Sequence, residues 1–411
     1  MTVQGRIAVF SLDAKLAPEV KGATRYTFLA NMLVQHGYSV DFVTSTFQHW
    51  DKEQRDTVSF DDSDRAFDVK FIAEPGYPKN MCPQRIWSHH VAARNAAAYF
   101  EAHHDYALIY CQIPPNDITR AIGEVAKRYG VPFVIDVNDL WPEAFRVALD
   151  VPVVSDLLFA PFEKQARDAY NLASAIVGTS DEYSGRGFKN RLHDIPQLTV
   201  YVGNDLNEFD SGVAKHADKI EKPSDEIWLI YAGTMSANYD LDTLIRAIAR
   251  VQGADSRIKL KLLGDGPARN ELQHLAQECS ADVDFLGYQP YDVMAAWLAV
   301  SDISVNSLVS KAAQSIVTKI GDYLAAGIPM INTSQSPEFK AKVASDGFGI
   351  NVEAENVEAL AVAVERLAHD CESRCRMGAK ARRIAEEEFD RKHSYQKIVK
   401  LIDSLVGEHL S

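Results

Sequence analysis

The chain has 411 residues, a formal net charge of −14 at neutral pH, and 46% hydrophobic against 24% charged residues. This length exceeds what one hydrophobic core usually supports, so two domains are expected, and the composition is that of a soluble globular protein. An acidic chain binds nucleic-acid phosphates poorly, because lysine and arginine supply that affinity, which excludes DNA and RNA as expected partners. The five scattered cysteines and the absence of a basic, apolar leader favour reduced thiols and a cytoplasmic location, and the apolar runs are too short to span a bilayer.

The first half of the sequence alternates short apolar runs with longer amphipathic stretches. This alternation predicts β-α-β units and hence a parallel sheet. Strands are predicted at 6–12, 39–44, 69–73, 107–111, 132–136 and 175–179, and helices at 23–35, 85–101, 117–129 and 162–172.

A polar stretch at 204–226 with little apolar periodicity is interpreted as an interdomain linker, after which a second alternation begins. Strands are predicted at 227–232, 259–263, 283–286, 303–306 and 330–332, and helices at 241–251, 269–278, 291–300, 319–326 and 357–367. The expected organisation is an α/β protein with Rossmann-like domains at 1–205 and 206–385. A C-terminal helix at 386–411 either packs back on the first domain or lies in solvent.

Motifs must decide the nucleotide chemistry, because this fold serves several reactions. No G-x-G-x-x-G follows the first predicted strand, and no G-x-x-x-x-G-K-[ST] occurs in the sequence, so NAD, FAD and P-loop ATP chemistry are excluded. No cofactor is therefore expected.

Three loops of the second half each follow a predicted strand, where open parallel sheets bind ligands. Gly233-Thr234 and Gly264-Asp265-Gly266-Pro267 allow a ligand to approach the backbone, although each is also consistent with a tight strand-to-helix connection. In the third loop, a Ser or Thr cap, free helix amides and Lys319 would bind a diphosphate, and Asp322 would accept hydrogen bonds from ribose hydroxyls. The alternative is a core helix with Lys319 in solvent.

The stretch from Thr318 to Pro329 resembles the T/S-K-x-x-E-Y-x-A-x-G-x-P pattern of family 4 glycosyltransferases, which are retaining enzymes of the GT-B type. Asp136 to Glu143 is similar to the D-x-H-D-L-W-P-E sequence of the subgroup that builds bacterial surface polysaccharides. Further similarities are Val177 to Ser180, Gly203 to Asp205, Phe285 to Tyr288, and Gly22 with Arg25.

The resemblance implies two Rossmann-like domains facing across a cleft, with a nucleotide-sugar donor, UDP-sugar favoured, in the second domain. It implies a glycan or lipid-linked sugar acceptor in the first domain, peripheral contact with the cytoplasmic membrane face, and front-face displacement without a metal or an enzyme nucleophile. The implied catalytic residues are Asn138, Asp139 and Lys319. The implied substrate-binding residues are Gly22, Arg25, Gly233, Thr234, Gly264, Gly266, Tyr288, Gln314, Ser315, Ile316, Thr318 and Asp322.

The sequence departs from the family pattern at several positions. Its paired glycines read Lys21-Gly22, its histidine is Asn138, and the first acidic residue of its E-x7-E spacing is Gln314. No Lys or Arg occurs in 235–241. These departures keep two alternatives open: a UDP-sugar 2-epimerase of related fold, and a non-catalytic subunit that binds a glycan or a partner transferase.

Three other features allow a functional or a structural interpretation. D-x-D matches at 62–64, 240–242 and 282–284 are interpreted as loop charges, with Asp240 as a helix cap, rather than as metal sites. His89 and His90 are interpreted as packing or surface residues. A basic cluster of Arg186, Lys189 and Arg191 would suit an anionic lipid or a solvated loop equally.

Overall fold

The structure, a computed structural model, describes residues 4–16, 19, 23–143, 152–186, 194–312 and 316–410, without the side chains of 152–158 and 410. It consists of two compact units, Met1–Val200 with Tyr395–Ser411, and Tyr201–Ser394. The sequence placed the two boundaries at 205/206 and 385/386, whereas the units divide at 200/201 and 394/395.

The first unit contains a seven-stranded parallel sheet in the order β5-β2-β1-β6-β7-β8-β9. Its strands are β1 (Arg6–Phe10), β2 (Ser39–Ser45), β5 (Asp68–Ile72), β6 (Leu108–Ile113), β7 (Phe133–Val137), β8 (Ala175–Gly178) and β9 (Gln197–Thr199), and β3 (Phe47–Gln48) and β4 (Glu53–Gln54) form a small antiparallel pair. Its helices are α1 (Arg25–His36), α2 (Pro83–Ala102), α3 (Asn116–Tyr129), α4 (Pro152–Tyr170) and α5 (Asp181–Arg186).

The core of the first unit lies on both faces of this sheet. Strand β6 is buried along its whole length, which explains why the sequence reads as a continuous apolar run there. The chain returns to this unit after residue 394, and Tyr395, Ile398 and Ile402 join the core cluster that contains Leu29 of α1.

The second unit contains a six-stranded parallel sheet in the order β12-β11-β10-β13-β14-β15. Its strands are β10 (Ile227–Ala232), β11 (Ile258–Leu263), β12 (Val283–Gly287), β13 (Ile303–Asn306), β14 (Met330–Asn332) and β15 (Gly349–Asn351). Its helices are α6 (Leu206–His216), α7 (Leu241–Gln252), α8 (Arg269–Glu278), α9 (Tyr291–Val300), α10 (Ile320–Ala325), α11 (Pro337–Asp346), α12 (Val357–His369), α13 (Cys371–Ile384) and α14 (Arg391–Ser394). A π-helical turn (Ala385–Phe389) follows α13, and α15 (Gln396–Leu410) belongs to the first unit.

The linker predicted at 204–226 is wrong, because helix α6 occupies its first part. Asp205 caps this helix by accepting hydrogen bonds from two backbone amides, and Leu206 and Phe209 are buried against the core of the second unit. Gly212, which suggested a linker, lies where α6 meets α9: a Cβ there would be 2.7 Å from the Cα of Asp292. The glycine therefore permits close helix packing rather than flexibility.

Strands β9 and β15 and helices α5 and α11 were not predicted, since all but α11 are shorter than one apolar period can reveal. The other predicted strands and helices are found with small shifts at their ends, except that the helix predicted at 162–172 is longer and begins at Pro152. No described helix is long and apolar enough to cross a membrane. All five cysteines are described, and all are free thiols.

Candidate active site

The loops after β10 and β11 interlock at the carboxyl edge of the second sheet. The strand order of this sheet reverses at β10, and the carboxyl edge at such a reversal is where open α/β sheets bind ligands. The Gly233 amide donates to the Leu263 carbonyl at 2.9 Å, and the Met235 amide donates to the Asp265 carbonyl at 2.9 Å. The two loops thus continue the pairing of their strands.

Two glycines of this edge are required by the packing of the backbone on itself. A Cβ on Gly264 would lie 2.0 Å from the carbonyl oxygen of Gly233, and a Cβ on Gly266 would lie 2.2 Å from that of Met235. The φ of Gly264 is +119°, a conformation that side chains disfavour. A tight connection therefore accounts for both glycines, and their contact with a nucleotide base stays a prediction.

Lys319 lies in an aromatic enclosure next to Gly233. Its Nζ is 4.0 Å from the ring centroid of Tyr231 and 3.8 Å from that of Tyr239. A Cβ on Gly233 would come within 2.8 Å of this Nζ, so a side chain there would displace the ammonium group. The alternative that placed Lys319 in solvent is wrong.

The ammonium group of Lys319 is buried, and it has no hydrogen-bond partner among the described residues. Burial lowers the pKa of Lys319 well below its usual value, because the charged form loses its water. The two ring faces attract the cation without neutralising it. Such an orphaned donor is costly unless a partner joins it, which makes this enclosure a candidate anion site.

The helix beside Lys319 differs from the prediction. Helix α10 has six residues, begins at Ile320, and has Lys319 at its N-cap position with no side-chain cap. The predicted Ser or Thr cap is therefore not provided by Thr318, which is exposed, while Gln314 and Ser315 lie outside the described residues. Ile316 packs against the core of the second unit. Among the described residues, Lys319 is thus the candidate anion contact of this loop, and diphosphate binding stays a prediction.

Asp322 is held within the second unit by two hydrogen bonds to its Oδ1. Asn204 Nδ2 donates at 2.9 Å and the Tyr291 hydroxyl at 2.8 Å. Burial raises the pKa of Asp322, and these two donors oppose that effect. Ribose binding by Asp322 stays a prediction, as does substrate contact by Thr234 and Tyr288, whose side chains are exposed.

Asn138 and Asp139 follow strand β7 of the first unit. Asn138 Nδ2 donates to the Tyr26 hydroxyl, and its Oδ1 is buried without a partner among the described residues. Asp139 Oδ1 accepts from the Leu140 amide at 2.8 Å and Oδ2 from Trp141 Nε1 at 3.2 Å. Burial raises the pKa of Asp139. The Asn138 oxygen is thus the open acceptor of this pair, whereas Asp139 fixes its own loop.

Arg25 makes structural contacts within the first unit, and its predicted substrate contact stays a prediction. Its guanidinium is buried and pairs with both oxygens of Asp136 at 2.7 and 3.1 Å. It also donates to the Val200 carbonyl at 3.0 Å and the Tyr395 hydroxyl at 3.2 Å, which ties α1 to β7, β9 and the C-terminal segment. The companion prediction, Gly22, lies outside the described residues.

The D-x-D matches at 240–242 and 282–284 have structural partners, and Asp62 of the match at 62–64 accepts a hydrogen bond from the Val69 amide. Asp240 caps α7, as predicted, through the Thr243 amide. Asp282 and Asp284 form ion pairs with Lys259 and Lys261 of the neighbouring strand, so they are not free loop charges. Within the described ranges, no three His, Cys, Asp or Glu side chains converge on a metal site.

The remaining sequence features are placed as follows. His89 is buried and its ring stacks on Trp141 at 6.0 Å, which confirms a packing role, and His90 is exposed. Arg186 pairs with Glu143, while Lys189 and Arg191 lie outside the described residues. Sequence reasoning missed the Lys319 enclosure, because no spacing links Tyr231 and Tyr239 to a lysine so distant in the chain.

Comparisons with known proteins agree with this architecture. Residues 226–370, all within the second unit, match the family described as glycosyl transferases group 1. Over 169 residues, 40% of this chain, the sequence is 27% identical to a GDP-mannose-dependent monoacylated α-(1-6)-phosphatidylinositol monomannoside mannosyltransferase of Corynebacterium glutamicum. The match spans 43% of that mannosyltransferase.

Solved structures of other proteins superpose on nearly the whole chain. Sucrose-phosphate synthase from Thermosynechococcus elongatus superposes with a TM-score of 0.73 at 18% identity, covering 98% of this chain and all of the synthase. Anabaena HepE in complex with UDP gives a TM-score of 0.70 at 15% identity, covering 97% of this chain and all of HepE. At such identities the likeness shows the fold. The chain thus has the GT-B fold and resembles family 4 glycosyltransferases, with residues 226–370 matching the group 1 glycosyl transferases.

Proposed function

We propose that the chain is a retaining glycosyltransferase that moves a sugar from a nucleoside-diphosphate sugar, UDP-sugar favoured, to a glycan or lipid-linked acceptor in surface-polysaccharide synthesis. The observation that carries the proposal is the buried ammonium of Lys319 beside Gly233, which has no hydrogen-bond partner among the described residues. The match of residues 226–370 to group 1 glycosyl transferases supports it.

The chemistry of a diphosphate fits this enclosure. Charge builds on the departing nucleoside diphosphate as the sugar–phosphate bond breaks, and a preorganised cation shielded from water stabilises that charge strongly. Tyr231 and Tyr239 hold the Lys319 side chain in place before the ligand arrives. The bound anion raises the pKa of Lys319 and keeps its amine protonated.

The first unit would supply acceptor and sugar contacts. The unpartnered Oδ1 of Asn138 is suited to accept a hydrogen bond from a sugar or acceptor hydroxyl. Retention by front-face displacement, with the leaving phosphate accepting the proton of the acceptor, follows from the resemblance to family 4. We place the enzyme in the cytoplasm or at the inner membrane face, working without a metal ion or other cofactor.

The choice of nucleotide needs a direct comparison. The mannosyltransferase relative is named as GDP-mannose-dependent, whereas HepE was solved with UDP. Incubation with UDP- and GDP-sugars and a panel of glycan and lipid-linked acceptors, with detection of the released nucleoside diphosphate, tests the proposal. Acceptor-dependent release is expected from the wild type and not from Lys319→Ala.

Two other outcomes would identify the competing functions. An epimerised sugar formed without any acceptor would establish the 2-epimerase. If Lys319→Ala left glycan assembly intact in cells while deletion of the whole protein abolished it, the chain would be a non-catalytic partner subunit.

A further inference from the structure

The first unit contains an apolar cavity that none of the predicted site residues occupies. Its volume is about 720 Å³, within the range of roughly 300–1,000 Å³ that is usual for small-molecule pockets. Helices α2 and α4 form its walls, and the lining includes Ile86, Trp141, Phe159 and Phe162. The exposed side chain of Met81 also borders it. An apolar group is the natural occupant of such walls.

One cation, Arg85, belongs to this lining. Its Cζ lies 4.7 Å from the Trp141 ring centroid and 5.2 Å from that of Tyr77, and its Nη1 donates to the Asn80 carbonyl at 3.0 Å. Its Nε is buried without a partner, and Arg85 forms no ion pair with a carboxylate of the described residues. The guanidinium therefore retains one unused donor, and the nearby carboxylates of Glu74 and Asp139 offset part of its charge without pairing with it.

A second cation lies close by. Lys52 Nζ is 5.2 Å from the centroid of the same Tyr77 ring. Burial and the charge of Arg85 both lower the pKa of Lys52. Lys52 also donates to the His49 carbonyl, and the charges of Asp13 and Asp51 oppose the lowering of its pKa. The cation available to a ligand of this cavity is therefore Arg85.

The carboxylates of this region are already engaged. Glu74 accepts hydrogen bonds from Ser45 and Ser88, and Asp139 accepts two within its own loop. Asp117, which also lines the cavity, accepts from the Ile118 amide, and burial raises its pKa. None of the three forms an ion pair with Arg85 or Lys52.

We propose that this cavity binds an amphipathic anion: a phosphate or pyrophosphate head group at Arg85, with its alkyl or isoprenoid chain between α2 and α4. The apolar side chains of the walls suit the alkyl or isoprenoid chain, and the unused guanidinium donor suits the phosphate head group. Its identification as the acceptor site of a lipid-linked substrate rests on the proposed function, whereas the binding itself does not.

Binding is tested on the whole protein without any sugar donor, by calorimetry with farnesyl phosphate, farnesol and inorganic phosphate, each below micelle-forming concentration. Farnesyl phosphate is expected to bind most tightly. Arg85→Gln is expected to weaken the binding of farnesyl phosphate by about 10-fold to 100-fold, which is the value of a hydrogen bond to a charged group. The binding of farnesol should be unchanged. Ile86→Asp, at a position 58% exposed, is expected to weaken both lipids.

Arg94→Gln, at an exposed position of the same helix, is the matched control and should change nothing. Equal binding of farnesyl phosphate by wild type and Arg85→Gln would overturn the proposal. The absence of saturable farnesyl phosphate binding would also overturn it. Binding of the protein to neutral phosphatidylcholine vesicles alone would overturn it too, because it would mean that exposed Ile86 and Trp87 contact a bilayer instead. Because no sugar donor is present in this experiment, a lack of lipid binding would not affect the test of the proposed function by nucleotide release. Likewise, a lack of nucleotide release would not affect this test of lipid binding.

Discussion

Replacing Lys319 by methionine should stabilise the empty protein and abolish nucleotide binding at the same time. Methionine is close to lysine in length and carries no charge, so it fills the enclosure between Tyr231 and Tyr239. The substitution removes a buried ammonium that has no partner among the described residues. It also removes the only feature on which the proposed diphosphate contact depends.

The expected magnitude follows from two opposing contributions. Exchanging buried charge for an apolar group of similar volume often stabilises by about 1–4 kcal/mol. Each of the two cation–π contacts is worth about 0.5–2 kcal/mol, and their loss offsets part of this gain. A net gain of about 1–2 kcal/mol corresponds to a rise of about 2–8 °C in the Tm of the second unit.

The gain should depend on pH. Burial lowers the pKa of Lys319 in the folded state, so below the ordinary lysine pKa of about 10.4 the unfolded chain binds more protons than the folded one. The wild type therefore loses stability as the pH falls from that value towards its folded pKa. The advantage of Lys319→Met should be larger at pH 7 than at pH 10.

Differential scanning calorimetry with and without UDP or GDP provides the assay. At 100 times its Kd, the nucleotide should stabilise the wild type by about 2.7 kcal/mol and the variant not at all. Lys219→Met, at an exposed lysine of the same unit, controls for loss of charge and should behave like the wild type. The reasoning is refuted if the empty variant is less stable than the wild type, or if the variant keeps the nucleotide-induced shift.

Three further perturbations test other parts of the structure. Gly264→Ala should destabilise the second unit by at least about 1–3 kcal/mol, because the new side chain strains the backbone of the interlocked loops. The control Gly407→Ala, in open space on α15, should stabilise the protein slightly. Equal effects of the two substitutions in chemical denaturation would contradict the interlocked loops. Arg25→Ala should lower the free energy of unfolding by about 3–5 kcal/mol and leave the UDP-induced rise in Tm unchanged. The control Arg120→Ala, in an exposed ion pair, should lower it by about 0.5 kcal/mol. Loss of the UDP-induced rise in the Arg25→Ala variant would show that Arg25 contributes to ligand binding. Burial lowers the pKa of His89 to about 3, so His89 becomes protonated in the unfolded state but not in the folded state as the pH falls from 7 to 5. The wild type should therefore lose about 2 kcal/mol of its free energy of unfolding over this range. Urea titrations in which His89→Phe shows the same loss would disprove this.

The fold was largely predictable because parallel strands that are buried on both faces leave continuous apolar runs. Strand β10 (Ile227–Ala232) was predicted with its observed bounds for this reason. The short edge strand β15 has three residues, too few for any period to show. Helix α6 was mistaken for a linker because its glycine serves a helix contact that only the three-dimensional structure reveals.

The chemistry of the site was predictable only in part. The lysine pattern identified Lys319, but its tyrosine enclosure depends on strand packing rather than on spacing. The ion pair of Arg25 with Asp136 could not be predicted, because partners 111 positions apart leave no local signal. Arg85 went unnoticed for the same reason, since its surroundings come from separate segments of the first unit.

The central claim is that Lys319 binds the pyrophosphate of a nucleotide, and a crystal structure of the protein with bound UDP or GDP tests it most directly. The account predicts a phosphate oxygen within hydrogen-bond distance, about 2.7–2.9 Å, of the Lys319 ammonium, with the Tyr231 and Tyr239 rings still around the side chain. A nucleotide bound elsewhere, with that ammonium still unpaired, would contradict it.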